Sequence, residues 1–159
     1  NYSSPKGDEL QWLIMHPGGT NVNNENKAIR SLDAKNKVRG KLIEKTALKP
    51  IERRNILNKA LCLLCWSDTE YQSLAILEAL SCGCPVISRP VGWLNHQLVP
   101  GVMLAKNQAQ ASACVMRLAS NPDLRNQLAA AARKGILDKH RIEDITSQWE
   151  AVVEKMTKK

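Results

Sequence analysis

The chain has 159 residues, a formal net charge of +8, 43% hydrophobic and 24% charged residues. This is an ordinary globular composition, long enough for one domain with a single core. Its longer apolar runs, such as ALCLLCW (60–66), fall well short of the roughly 18 residues a membrane span needs. The first ten residues, NYSSPKGDEL, have neither a basic start before an apolar run nor a cleavage site. With no initiating Met, the chain is expected to be an excised piece of a longer protein, with residues 1–9 a tail and 10–159 the domain.

In chain order, LQWLIM (10–15) predicts a buried strand stopped by the turn His16-Pro17-Gly18-Gly19. Residues 20–36 are polar and Asn-rich, a loop leading to a short helix around 25–34. KVRGKLI (37–43) predicts a strand, and 49–60 a helix with Pro50 in its first turn. The strand ALCLLCW follows, then a loop around Asp68-Thr69-Glu70 and a helix from about Ser73 to Cys82 stopped by Gly83. CPVIS (84–88) and GVMLA (101–105) are two more buried strands. Helices close the chain: one over 108–120, one capped by Asn121-Pro122 and reaching about Gly135, and a last one with Ile142, Ile145, Trp149, Val152 and Met156 on one face. Strands apolar on both faces, alternating with helices, imply a parallel α/β sheet covered by helices on both sides.

Five cysteines in mostly apolar surroundings (Cys62, Cys65, Cys82, Cys84, Cys114) suit reduced, buried thiols of a cytoplasmic protein. Cys62-x-x-Cys65 has the spacing of half a zinc site or a redox pair. On a strand, however, residues three apart point to opposite faces and share no metal. The positive charge permits binding to phosphates, anionic lipid surfaces or nucleic acid. Dispersed Lys and Arg, no Phe and two Tyr argue against a nucleic-acid stacking platform; peripheral membrane association stays open.

The chemistry concentrates in SDTEYQSLAILEALSCGCPVIS (67–88), where Glu78 interrupts an apolar run and Glu70 precedes it. In a parallel α/β sheet, ligands sit beyond the carboxyl ends of strands, where helix N-termini point. Glu70 to Ser73 fall at such a place. With Ser73 as N-cap, the amides of Leu74, Ala75 and Ile76 form an anion site. A carboxylate offers two acceptors and no donor, which matches neighbouring hydroxyls on a sugar ring. A phosphate site beside two such carboxylates describes a nucleotide-sugar pocket. The alternative is a solvated stripe bearing Glu78 and an ordinary loop glutamate at 70; spacing alone leaves both open.

Glu70, YQSLAIL, Glu78 and then ALSCGCPVIS with Val91-Gly92 resemble the C-terminal, donor-binding domain of GT-B glycosyltransferases of the group 1 family. The family pattern is a glutamate, seven residues, a second glutamate and a helix ending in Ala-x-Gly-x-Pro-Val-Ile. LIMHPGG, KVRGKL, ILNKALCLLCWSDTE and the segments SNPDLRNQLAAAARKGIL and IEDITSQWEAVVEKM are similar to the surrounding family elements, so the resemblance covers most of residues 10 to 156. It implies a Rossmann-like fold, the C-terminal half of a GT-B architecture. It further implies transfer of a sugar from a nucleoside-diphosphate donor, such as a UDP- or GDP-sugar, to an acceptor hydroxyl. That transfer is expected to proceed with retention and without a metal or other cofactor. Glu70 is then the catalytic-site residue facing the transferred sugar, and Glu78 holds the ribose hydroxyls. Gln72, Ser73 and Leu74 present backbone amides to sugar and phosphates.

This chain departs from the pattern at Tyr71, where the family has Gly, at Gln72, and at Trp93, which replaces the second glycine after Val91. The glutamate usual a few positions later falls near His96. His96, His16 and His140 read as surface residues. The Arg and Lys that clamp the diphosphate in the family have no counterpart, and Lys6 is not assigned that role. The N-terminal acceptor domain is absent, so the chain alone is not expected to turn over. A non-catalytic nucleotide-binding or protein-interaction module of the same fold is the competing expectation.

Overall fold

The computed structural model describes residues 11–16 and 41–157. The expected helix near residues 25–34 and the His-Pro-Gly-Gly turn after His16 lie outside them. The chain divides into two compact units at Arg53–Arg54, inside helix α1 (Pro50–Leu57).

In the first unit, strands β1 (Gln11–His16) and β2 (Lys41–Thr46) pair in parallel, with Gln11 opposite Lys41 and His16 opposite Thr46. β1 falls where the sequence places it. β2 runs to Thr46, past the expected end at residue 43, because Glu44, Lys45 and Thr46 keep their pairing with Ile14, Met15 and His16 of β1. Glu52 accepts a hydrogen bond from the Lys49 amide at 2.8 Å and so closes the first turn of α1, a favourable place for a carboxylate.

The second unit is a three-stranded parallel sheet in the order β3 (Leu63–Cys65), β4 (Val86–Ser88), β5 (Val102–Leu104). All three residues of β4 are buried. Successive residues of a strand face opposite ways, so this central strand is covered on both faces, as a wound α/β sheet requires. The edge strands are barer: Leu64 and Leu104 are exposed. β3 also has three residues where ALCLLCW suggested seven. An edge strand pairs along one side only, and ladder hydrogen bonds end where the partner turns away.

Helix α2 (Leu74–Ser81) joins β3 to β4 and packs on both, while α3 (Gln108–Ser120) packs on β4. α2 buries Ile76, Ala79 and Leu80, and α3 buries Ala111, Val115 and Leu118. α4 (Pro122–Lys139) lies against α2 and α3. Asn121 caps it, its side chain accepting from the Leu124 amide at 2.9 Å, with Pro122 in the first turn as expected. α4 continues through Gly135 to Lys139, one turn beyond the expected stop. A lone glycine in a helix costs only about 1 kcal/mol, and here it lets Pro100 approach within 3.2 Å of where a Cβ would stand.

α5 (Ile142–Thr157) is the predicted last helix, with Glu143 and Asp144 in its first turn and Lys155 in its last, charges that suit its macrodipole. Its apolar stripe is not buried. Ile142, Trp149, Val152 and Met156 are exposed, and Ile145 is half-buried. Helical periodicity identifies the stripe whether or not anything covers it. Among the described residues, no helix is long and apolar enough to cross a membrane.

Candidate functional site

β3 ends at Cys65 and α2 begins at Leu74, so residues 66–73 form the turn at the carboxyl end of the strand. Within it Ser67 donates its hydroxyl hydrogen bond to Glu70 Oε1 at 3.0 Å. Glu70 is half-buried, and one of its oxygens is thereby oriented while the other keeps acceptor capacity.

Ser73 is the N-cap of α2, in extended conformation and 6% exposed, but its hydroxyl makes no capping bond. The first helical bond runs from the Leu77 amide to the Ser73 carbonyl at 3.2 Å. The amides of Leu74, Ala75 and Ile76 therefore precede the ladder. A serine that leaves this role unfilled keeps the helix end open as an anion site.

The rest of the motif divides by exposure. Gln72 is exposed, as are Tyr71 (92%) and Leu74 (74%). Glu78 is half-buried in the second turn of α2, at the i+4 position from Leu74 and so on the same helix face. The core face is the other one, through Ile76, Ala79 and Leu80. Glu78 thus interrupts the apolar run without entering the core. The helix places it beneath the exposed Leu74, one turn below the open amides.

The turn is held from outside by the loop after β4. Gly92 has φ +54, and a Cβ there would lie 1.9 Å from the Glu70 carbonyl oxygen and 2.5 Å from that of Tyr71. Next to it, the Trp93 amide donates to the Tyr71 carbonyl at 3.0 Å. Residues 92–95 form a short 3-10 turn anchored by buried Leu94. His96 is exposed, as its reading as a surface residue anticipated. His140 is not: at the C-cap of α4 it is half-buried, its ring edge-on to Trp93 at 6.2 Å between centroids. A lone histidine without a motif reads as surface because the sequence does not show what faces it across the fold.

Beyond the carboxyl ends of β3, β4 and β5 lies a cavity of about 490 Å³ lined by Trp66, Arg89, Lys106, Asn107, Gln108 and Ala109. Arg89 pairs with Asp68, and its guanidinium lies over the Trp66 ring at 5.9 Å. These cations were not singled out from the sequence. The available signal was position, since each follows closely on the carboxyl end of a predicted strand.

All five cysteines are free. Only Cys84 is fully buried and the others are half-buried, which corrects the expectation of uniformly buried thiols: most stand at strand or helix ends rather than inside the sheet. Burial first, then the neighbouring Cys114, pushes the Cys62 thiol up to about 11. Burial, then Cys62 and Cys82, pushes Cys84 up to about 12. Such thiols are poor nucleophiles at neutral pH. Among the described residues, no group of three or more His, Cys, Asp or Glu could hold a metal ion.

Fold and turn together define a Rossmann-like α/β unit with an open helix N-terminus flanked by two carboxylates. Residues 27–151 match the family described as glycosyl transferase-like, and the chain belongs to that family. Among solved structures it is similar to sucrose-phosphate synthase from Thermosynechococcus elongatus, with TM-score 0.76 and 18% identity over 91% of this chain and 38% of that one. It is similar also to a mutant TarM from S. aureus in complex with fondaparinux, alpha-GlcNAc-glycerol and UDP, with TM-score 0.68 and 17% identity over 89% of this chain and 28% of that one. A third is AviGT4, a glycosyltransferase involved in avilamycin A biosynthesis, with TM-score 0.52 and 12% identity over 89% and 43%. At these identities the likeness is one of fold, and it agrees with the GT-B expectation. The chain spans 28% to 43% of the length of these structures. No curated protein matches it.

Proposed function

We propose that this chain is the donor-binding part of a glycosyltransferase that takes a nucleoside-diphosphate sugar and transfers the sugar, with retention, to an acceptor hydroxyl. The observation that carries the reading is the turn after β3. In a chain of the glycosyl transferase-like family, it sets an oriented Glu70 beside the three open amides of α2. The diphosphate lies against those amides, where the helix N-terminus favours negative charge. Glu70 accepts from hydroxyls of the transferred sugar, and Glu78, one turn below, from the ribose. Gln72, Ser73 and Leu74 line the passage with their main chain.

Rate enhancement in such a site comes from stabilising the departing diphosphate and holding the acceptor in line. The acceptor's other wall belongs to an N-terminal domain of the whole protein, with which this chain works. TarM's complex with UDP, on a related fold, supports a UDP-type donor, and the five free thiols suit a reducing cytoplasm. One observation favours a second reading, a nucleotide-binding module without catalysis. Tyr71 stands 92% exposed beside Glu70, where the resemblance leads one to expect a glycine.

Calorimetry with UDP, GDP and their sugars tests the reading. The chain is expected to bind at least one of them, Glu78→Ala to weaken ribonucleotides by about tenfold, the loss of one or two charge-assisted bonds, and to leave the 2′-deoxynucleotide much less affected. No binding of any nucleotide at millimolar concentration overturns it.

A further inference from the structure

Trp93 stands where the resemblance leads one to expect a glycine, so its bulk has to be accounted for. Its main chain touches the donor turn, the amide donating to the Tyr71 carbonyl at 3.0 Å directly after the Gly92 contact with the Glu70 carbonyl. Trp93 also lines a narrow crevice together with Leu80 of α2, Pro100, and Ala132, Ile136 and His140 of α4 and its C-cap. There the indole meets the His140 ring edge-on. The Nε1 atom is fully buried and has no hydrogen-bond partner among the described residues.

An indole N–H buried without a partner is destabilising, because it has lost its hydrogen bond to water. A glycine or alanine carries no such penalty, and a phenylalanine fills most of the space without it. The penalty is sustained by what the ring does mechanically. A four-residue 3-10 turn has little rigidity of its own. A large planar side chain wedged between two helices supplies it. The wedge has one end on the donor turn and the other on the last turn of α4, which is packed on α2.

We propose that Trp93 is a positioning residue of the donor site. Its ring, seated between α2 and the C-terminal end of α4 against His140, holds Gly92 and the Trp93 amide against the Glu70 and Tyr71 carbonyls. That contact sets the turn from which Glu70 and the open amides of α2 are presented. The part concerning ligand rests on the donor-site reading; the part concerning the turn does not.

Hydrogen exchange and nucleotide binding on the same chain separate the two. Trp93→Ala, His140→Ala and Trp93→Phe are compared with the unaltered chain, UDP being the binding probe. Exchange in the segment 70–77 is expected to accelerate about tenfold in Trp93→Ala, which raises local opening without global unfolding, and less in His140→Ala. It stays near the original rate in Trp93→Phe, because an aromatic ring still fills the crevice. Segments in β4 and α3 keep their protection. UDP affinity is expected to fall about tenfold in Trp93→Ala and to be restored in Trp93→Phe.

If Trp93→Ala proves unfolded, the other two variants decide. Exchange at 70–77 that is unchanged in His140→Ala, or accelerated about tenfold in a folded Trp93→Phe, overturns the proposal. Unaltered exchange and affinity in a folded Trp93→Ala overturn it also. A chain that shows the exchange pattern but binds none of UDP, GDP and their sugars retains Trp93 as the holder of the turn and overturns the donor-site reading instead.

Discussion

Gly92 and Glu70 approach so closely that no side chain fits between them: a Cβ on Gly92 would stand 1.9 Å from the Glu70 carbonyl oxygen. The obstacle is backbone, which cannot rotate aside, and the φ of +54 is itself disfavoured for any other residue. Gly92→Ala is therefore expected to cost more than about 2 kcal/mol in urea unfolding, combining strain with displacement of the turn. Gly135→Ala is the control. It meets only the exposed Pro100 ring at 3.2 Å, and the gain in helix propensity offsets that tight contact, so it is expected to change stability by less than about 0.5 kcal/mol.

Ser67 gives a way to disturb Glu70 without touching its charge. Its hydroxyl is 3.0 Å from Glu70 Oε1, and Ser67→Ala releases that oxygen while leaving the helix end intact. Affinity for a nucleotide-sugar is expected to fall about three- to tenfold, the worth of one hydrogen bond. Affinity for the free nucleoside diphosphate should be unchanged. Equal losses for both, by calorimetry, would place Glu70 on the nucleotide rather than on the sugar.

Tyr71 makes the opposite kind of variant. Its side chain is 92% exposed, and its carbonyl, which holds the Trp93 amide, survives any substitution. Tyr71→Ala should change stability by less than about 0.5 kcal/mol, as surface replacements do. If the proposed sugar site lies beside Glu70, it should at the same time widen the mouth of that site, and the readout is relative affinity for sugars of different bulk at one nucleotide.

Much of this site was legible because its determinants are local. A strand, a polar turn, Ser73 and a run of helix formers place the open amides by periodicity alone, and Asn121-Pro122 announces α4 in the same way. Glu78 was undecided because its face depends on where α2 rolls, which Ile76, Ala79 and Leu80 settle by packing on the sheet and α4. From the sequence, Trp93 is a departure from the family pattern and His140 a surface residue. Their partnership joins positions 47 apart, and nothing in either neighbourhood encodes it. The Ser67–Glu70 bond lies between these extremes, three residues apart in sequence but dependent on a turn whose shape Gly92 sets.

The buried thiols make stability depend on alkaline pH. Folding raises Cys62 to about 11 and Cys84 to about 12, from the 9.0 of an exposed thiol. Between these values the folded chain binds more protons than the unfolded one, so stability falls as pH rises. The contribution is complete below about pH 9 and is lost as pH rises through 11 to 12. Unfolding midpoints at pH 7.5, 9 and 10.5, about the span over which the thiols diverge, should be nearly level over the first step and drop over the second. The fully buried Cys84 should also react with a thiol reagent at neutral pH only as fast as the chain opens.

The Arg133 guanidinium donates to the Ser81 carbonyl at 2.6 Å across 52 residues of sequence, closing the end of α2 with a side chain from α4. On a ribosome adding about 5–20 residues per second, α2 is complete for several seconds before its closing residue exists. Throughout that interval the apolar face of α2, with Ile76, Ala79 and Leu80, lacks α4. The turn after β3 is thus among the first parts of this unit to be made, while the far end of the helix that follows it is closed much later. Its vulnerable period is set by translation speed over residues 82–133, so slow codons in that stretch would prolong the exposure of the helix that carries Glu78.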